Sequence, residues 1–232
     1  MPDKLVTRGL VLRATETKEA DYILTVLTAE HGRLAVIARG ARRRSSKLAA
    51  ACQHLAFSEL VLYRRGSWHY LDEASTIALF DGLRADLEKL SLASYFAEMA
   101  EAVTSEDLPS GEVLSLLLNS LYALDTLDRP NELVRAAFEL RLLALSGYEP
   151  LLDDCAMCGR TDPVEPVFDA AQGVGALAAM RHIVGAPSKR LLSFTLEPAS
   201  LARLSVACET FAAVQLDRRF RTLDFYKSIR ST

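Results

Sequence analysis

The densest chemistry in the chain is Ala38-Arg39-Gly40-Ala41-Arg42-Arg43-Arg44-Ser45-Ser46-Lys47, where five cations fall within the nine positions 39–47. Side chains of one sign so close together repel, so the segment belongs on a solvated loop unless a polyanion neutralises it. Phosphate oxygens suit arginine, whose planar fork donates two parallel hydrogen bonds, and each neutralised phosphate releases condensed counterions. Nothing in the segment reads a base edge, so binding through it is expected to fall steeply with salt and to ignore sequence. From these residues alone, a loop without a ligand or one that docks an acidic protein stays equally open. Arg33, Arg64 and Arg65 add cations in two further polar turns, where the loops of a small barrel gather at one mouth. Tyr22, Phe57, Tyr63, Trp68 and Tyr70 lie in the same third of the chain. A ring left on the surface there stacks an unpaired base with about 1–3 kcal/mol, although most of the five are expected in the core.

Other reactive types are sparse. Cys155-Ala156-Met157-Cys158 has the spacing of half a zinc site, while Cys52 and Cys208 sit in apolar patterns and read as buried thiols. His31, His54, His69 and His182 are scattered. There is no Gly-x-x-x-x-Gly-Lys-Ser/Thr loop to cradle a nucleotide phosphate and no nucleophile beside a base. An enzyme built on Cys155 or Cys158 needs a lowered thiol pKa and an adjacent base, and neither is visible. The expectation is a protein that is not an enzyme and needs no cofactor.

The chain of 232 residues is half apolar and one quarter charged, enough for one large or two modest hydrophobic cores. Its longest apolar run, residues 55–62, is interrupted by Ser58 and Glu59 and falls far short of the roughly 20 residues that span a bilayer. The first residues lack the pattern of a secretion signal. A cytoplasmic location, with free thiols, is expected. The net charge of −3 is unevenly placed. Residues 1–80 carry twelve Lys/Arg against eight Asp/Glu, a local +4, which leaves −7 for the rest. That asymmetry points the first third toward a polyanion.

The elements that must position the cations follow from hydropathy. Residues 10–12, 22–27, 34–38, 55–63 and 68–77 are β-branched, aromatic-rich runs separated by polar turns, which predicts five strands. Glu30-His31-Gly32-Arg33 and Tyr63-Arg64-Arg65-Gly66-Ser67-Trp68 read as hairpins. Five strands in some 75 residues form a small barrel, of oligonucleotide-binding or SH3-like type. From Leu83 the spacing becomes helical: residues 83–103, then 113–124, then 133–145 with Asn131 as N-cap, and a last long helix over 198–220. An irregular Cys-bearing stretch separates the third and fourth, at about 148–187. The predicted class is α+β with two domains, a barrel over 1–80 and a helical domain over 81–232.

Three stretches together resemble the RecO family of bacterial recombination mediators. The first is Ala20-Asp21-Tyr22-Ile23-Leu24-Thr25-Val26-Leu27-Thr28 with His31-Gly32-Arg33 and Ala38-Arg39-Gly40-Ala41-Arg42-Arg43. The second is Phe138-Glu139-Leu140-Arg141-Leu142-Leu143-Ala144-Leu145-Ser146-Gly147-Tyr148-Glu149-Pro150 with Leu152 and Cys155-Ala156-Met157-Cys158-Gly159. The third is Arg218-Arg219-Phe220-Arg221-Thr222-Leu223-Asp224-Phe225. The resemblance covers nearly the whole chain. It implies an oligonucleotide-binding barrel, a helical C-terminal domain, and binding of single- and double-stranded DNA. It also implies annealing of complementary strands, bare or coated by single-stranded-DNA-binding protein, and loading of the RecA recombinase together with RecR. On this reading Arg33, Arg39, Arg42, Arg43, Arg44, Lys47, Arg64 and Arg65 are the DNA-binding residues. No membrane takes part, and the protein works on the bacterial nucleoid. The competing expectation is an interaction module whose basic loop docks an acidic partner without touching DNA.

Two further expectations come from the resemblance. Many members carry a second Cys-x-x-Cys about twenty residues after the first, completing a zinc site. Here Leu177 and Met180 stand at those places, so the zinc-finger-like segment is expected to be degenerate, with Cys155 and Cys158 metal-free. Arg135 and Arg141 are expected to border an apolar groove that captures the acidic tail of single-stranded-DNA-binding protein. The plain reading of Arg141 is that it extends its head to solvent.

Overall fold

The structure, a computed structural model, describes residues 4–153 and 174–230. Cys155 and Cys158 therefore lie outside the described residues. Five strands, β1 (Lys4–Thr17), β2 (Asp21–Thr28), β3 (Arg33–Ala38), β4 (Phe57–Arg65) and β5 (Trp68–Ala78), close into a barrel in the order β1-β2-β3-β5-β4. Every pairing is antiparallel except β3 with β5. Val11, Leu24, Val26, Leu34, Val36, Leu60 and Leu62 fill the interior, and β3 and β4 alternate buried and more exposed positions at the period of two that a half-buried strand requires.

The first strand is longer than its apolar run. Its N-terminal half, Lys4 to Leu10, pairs with β4, and from Gly9 onward it pairs with β2, with a register shift between Val11 and Arg13. One strand can serve two neighbours because a bulge bends it, and that bend closes the barrel. Gly9 stands where both ladders meet, and a Cβ there would strike Val26.

The helices are α1 (Asp81–Arg84), α2 (Leu87–Val103), α3 (Gly111–Thr126), α4 (Asn131–Leu145), α5 (Val174–Gly185), α6 (Pro198–Leu216) and α7 (Arg221–Arg230). The run expected as one helix from Leu83 is thus two, because the Asp86 carboxylate accepts from the Lys89 amide and starts α2 afresh. Pro130, not Asn131, is the N-cap of α4. Helix α5 occupies part of the stretch expected to be irregular, and the chain beyond α6 forms a separate α7. Leu177 and Met180 are both on α5, Met180 buried and Leu177 half-buried.

The chain divides into two compact units, residues 1–121 with 220–232, and residues 122–219. In the first, α1, α2 and α7 join the barrel. Arg13 of β1 bonds Glu101 of α2 at 2.8 Å, and the Arg33 amide donates to the Ser105 carbonyl at 3.0 Å. Gly32, at φ +61°, bridges Glu106; a Cβ there would collide with the carbonyls of Ser105 and Leu108. Tyr95 packs edge-on against Phe220 at 5.5 Å, and Glu98 accepts from Thr222 at the start of α7. In the second unit α4, α5 and α6 pack together. Leu133 through Leu140 of α4 are buried without interruption, the mark of a helix enclosed on all sides. No helix among the described residues is long and apolar enough to cross a membrane.

Candidate nucleic-acid interface

The basic loop leaves the barrel at the end of β3, and its root is fixed by contacts that spare the charges. The Gly40 amide donates to Asp21 Oδ1 at 2.8 Å, the Arg42 amide donates to the Ala20 carbonyl at 3.0 Å, and Ala41 is buried in the barrel core. Further along, Leu48 packs against the same core. Just before these pegs Arg39, and between them Arg43, Arg44 and Lys47, are exposed, and none of the four has an ion-pair partner among the described residues. Arg42 differs. Its guanidinium meets Glu16 Oε2 at 2.6 Å and lies 5.9 Å from the centre of the Tyr22 ring.

Arg39 caps an aromatic pile. Its guanidinium carbon is 4.8 Å from the Tyr70 ring centre, and Tyr70 stacks on Tyr63 at 5.3 Å with planes only 14° apart. Strand register builds the pile: Tyr70 is opposite Ile37 on β3 and Tyr63 on β4. Of the five rings named from sequence, Trp68 is the exposed one, and Tyr22, Phe57, Tyr63 and Tyr70 are half-buried. A cation stacked over an aromatic pile is a surface on which an unpaired base can lie. Replacing Tyr70 by alanine removes the centre of the pile and is expected to weaken single-strand binding about tenfold, within the usual range for one stacked base. Phenylalanine at the same position is expected to bind like the parent. Fluorescence anisotropy with a labelled oligonucleotide reads both, and equal binding by the alanine variant would deny the pile any role.

The remaining barrel cations are elsewhere. Arg64 and Arg65 stand exposed on the β4–β5 hairpin, and Arg33 begins β3. Because β3 and β5 run parallel, the start of each lies at the same end, opposite the basic loop. The cations therefore do not gather at one mouth. They bracket a strip along β3 and β5 about 20 Å long, with Ile37, Tyr70 and Tyr63 between. Arg33 also pairs with Glu101 at 3.8 Å, whereas Arg64 and Arg65 have no carboxylate partner among the described residues.

In the second unit Arg135 is buried. It donates to Glu139 at 3.0 Å, to Glu209 at 2.9 Å and to Ser205. Arg141, half-buried, donates to the Val184 carbonyl of α5. The two arginines thus fasten α4 to α6 and to α5. An arginine in a helical run shows its position, not its partners, and Glu209 lies 74 residues away.

Among the described residues, two thiols and two imidazoles are held toward their neutral forms. Burial pushes Cys52 up to about 12 and Cys208 well above its ordinary value, so neither is a thiolate near neutrality. Burial, then Arg84, holds His54 below the usual histidine value; its ring bonds Ser94 Oγ at 3.2 Å. His69 is likewise held down by burial, then by Arg64. Among the described residues no three His, Cys, Asp or Glu side chains are grouped to hold a metal ion.

Comparison with known proteins agrees with this geometry. The family described as Recombination protein O N terminal matches residues 1–80, and Recombination protein O C terminal matches residues 84–224. The DNA repair protein RecO of Acetivibrio thermocellus is 32% identical over 97% of this chain and 97% of its own length. That of Anaeromyxobacter sp. (strain K) is 39% identical over 76% of this chain and 70% of its own length, and that of Symbiobacterium thermophilum is 29% identical over 96% of both. With both halves matched and relatives aligned end to end, the chain belongs to the RecO family of DNA repair proteins.

Proposed function

We propose that this chain is a non-catalytic DNA-binding protein of recombinational repair that anneals complementary single strands and, with RecR, helps load the RecA recombinase. The observation that carries the reading is the strip just described: exposed, uncompensated cations at both ends and the Arg39–Tyr70–Tyr63 pile between them. The cations screen two phosphate backbones from one another. The bases, held by stacking alone, keep their pairing edges free for a second strand. Charge transfer, nucleotide hydrolysis and a covalent intermediate are not needed, because pairing itself supplies the free energy.

Single- and double-stranded DNA, RecR and the acidic tail of single-stranded-DNA-binding protein are the proposed partners, in the bacterial cytoplasm at the nucleoid. For that tail, Arg141 is the more available cation of α4, since the charge of Arg135 is already met by two carboxylates. No role for zinc is proposed.

Annealing of complementary oligonucleotides, bare and coated with the single-stranded-DNA-binding protein, tests the reading at two salt concentrations. Annealing well above the spontaneous rate, falling as salt rises, is the expected result. A folded sample with neither annealing nor DNA affinity would leave a module that docks an acidic protein as the better account.

A further inference from the structure

Besides the strip, the barrel carries a cleft that the function above does not use. β3 and β5 are paired only at Val36–His69 and Ile37–Tyr70. Where they part, a cavity of about 480 Å³ opens, within the size range of small-ligand sites. Its lining is chemically mixed. Leu5 and Leu34, which also pack the barrel core, give it an apolar wall. Lys4, Arg33 and Arg64 supply positive charge, and the Arg33 Nε is buried without a hydrogen-bond partner. Glu106 and Asp107, from the segment between α2 and α3, bring two carboxylates to the same cleft.

Each half of that lining excludes a simpler ligand. A bare phosphate or an acidic peptide satisfies the cations but is repelled by Glu106 and Asp107. Lys4 already meets Asp72 and Arg33 meets Glu101, but an apolar ligand displaces the water of Arg64, Glu106 and Asp107 and offers those charges nothing in return. A nucleotide carries all three complements at once: a phosphate for the cations, a flat ring for the apolar wall, and neutral N–H donors for the carboxylates. Among the bases, guanine fits best. Its pairing edge presents a ring N–H beside an exocyclic amine, two parallel donors that match the two oxygens of a carboxylate. Thymine offers one N–H between two carbonyl oxygens, and those oxygens repel a carboxylate.

We infer that the cleft between β3 and the β4–β5 hairpin is a binding site for one unpaired guanine nucleotide of a DNA single strand, held through its pairing edge by Glu106 and Asp107. The inference rests on the DNA-binding reading and deepens it. The strip binds strand without regard to sequence, and the cleft adds a local preference at one end. It also distinguishes reactant from product in annealing. A second strand takes the same edge of the base, so pairing ejects guanine from the cleft, and the site holds single strands without holding the duplex.

The test compares affinities of the full chain for two labelled 15-residue oligonucleotides, all thymine and thymine with one central guanine, by anisotropy. The parent is expected to bind the guanine strand about fivefold more tightly, the low end of what one bidentate contact discriminates. Glu106→Gln with Asp107→Asn is expected to bring the ratio to one. The thymine strand should then bind at least as tightly as before, because two negative charges are gone. Asparagine tolerates the left-handed backbone at position 107, φ +58°. Replacing Arg42, Arg43 and Arg44 by alanine should weaken both strands and keep the ratio. Equal affinities in the parent, or a ratio that survives in the Gln/Asn variant, would overturn the cleft and leave the strip intact. A parent that binds neither strand would overturn both.

Discussion

Replacing Arg42, Arg43 and Arg44 together by alanine lowers single-strand affinity by roughly ten- to a hundredfold at low salt and abolishes most annealing. It also flattens the salt dependence. Three lost phosphate contacts on a single strand reduce the slope of log affinity against log salt by about 2, but the structure makes the three unequal. Arg42 is held by Glu16 and faces the Tyr22 ring, so its charge is largely met before DNA arrives. The greater part of the loss therefore falls on Arg43 and Arg44, and single substitutions should rank Arg42 below either. The variant should remain folded, since the loop is anchored by the Gly40 and Arg42 amides and by Ala41. Exposed side chains away from such anchors change stability by about 0.5 kcal/mol or less. Unchanged salt slope and unchanged annealing, in a protein with the parent's melting temperature, would move the interface off this loop.

The barrel was legible because its strands are short apolar runs rich in β-branched and aromatic residues between polar turns, and in β3 and β4 inward and outward positions separate at period two. The charge pattern of the loop was legible for the opposite reason: nothing in a core explains it. Position along the chain could not say which barrel end each cation occupies. That depends on β3 and β5 running parallel, a pairing between residues some thirty positions apart that leaves no local trace. The anchors of the loop were hidden too. Asp21 lies 19 residues before Gly40, and Ala41 reads as a spacer until it is seen in the core.

Among the helices, periodicity gave the apolar faces but not the breaks. Residues 83–103 keep helical spacing through Asp86, whose carboxylate interrupts the helix without disturbing the pattern. Helix α5 was hidden by the Gly- and Pro-containing sequence around it. The arrangement of α7 depends on partners in α2, namely Glu98 at its start and Glu88, which pairs with Arg230 at its end. Each partner is over a hundred residues away, beyond any window in which a periodic signal accumulates.

Arg135 is where the two readings differ most in consequence, and a stability measurement separates them. Glu139 is fully buried and Glu209 is 28% exposed. Replacing Arg135 by methionine keeps the side-chain volume but removes the Arg135 cation from beside Glu139, in a site that water does not reach. Breaking one side of a buried ion pair costs about 3–5 kcal/mol, because the buried charge left behind loses the compensation that offset its desolvation. Glu209 is spared much of that cost by its access to water. Urea unfolding of the single variant is expected to show a loss of that size. Adding Glu139→Leu should restore most of it, since removing both charges replaces the pair by apolar packing. If Arg135 instead serves chiefly to capture the acidic tail of a partner, the single variant loses tail binding while its urea midpoint stays near the parent's. A loss below about 1 kcal/mol, the scale of an exposed pair, would show that the Arg135–Glu139 contact does not hold α4 in place.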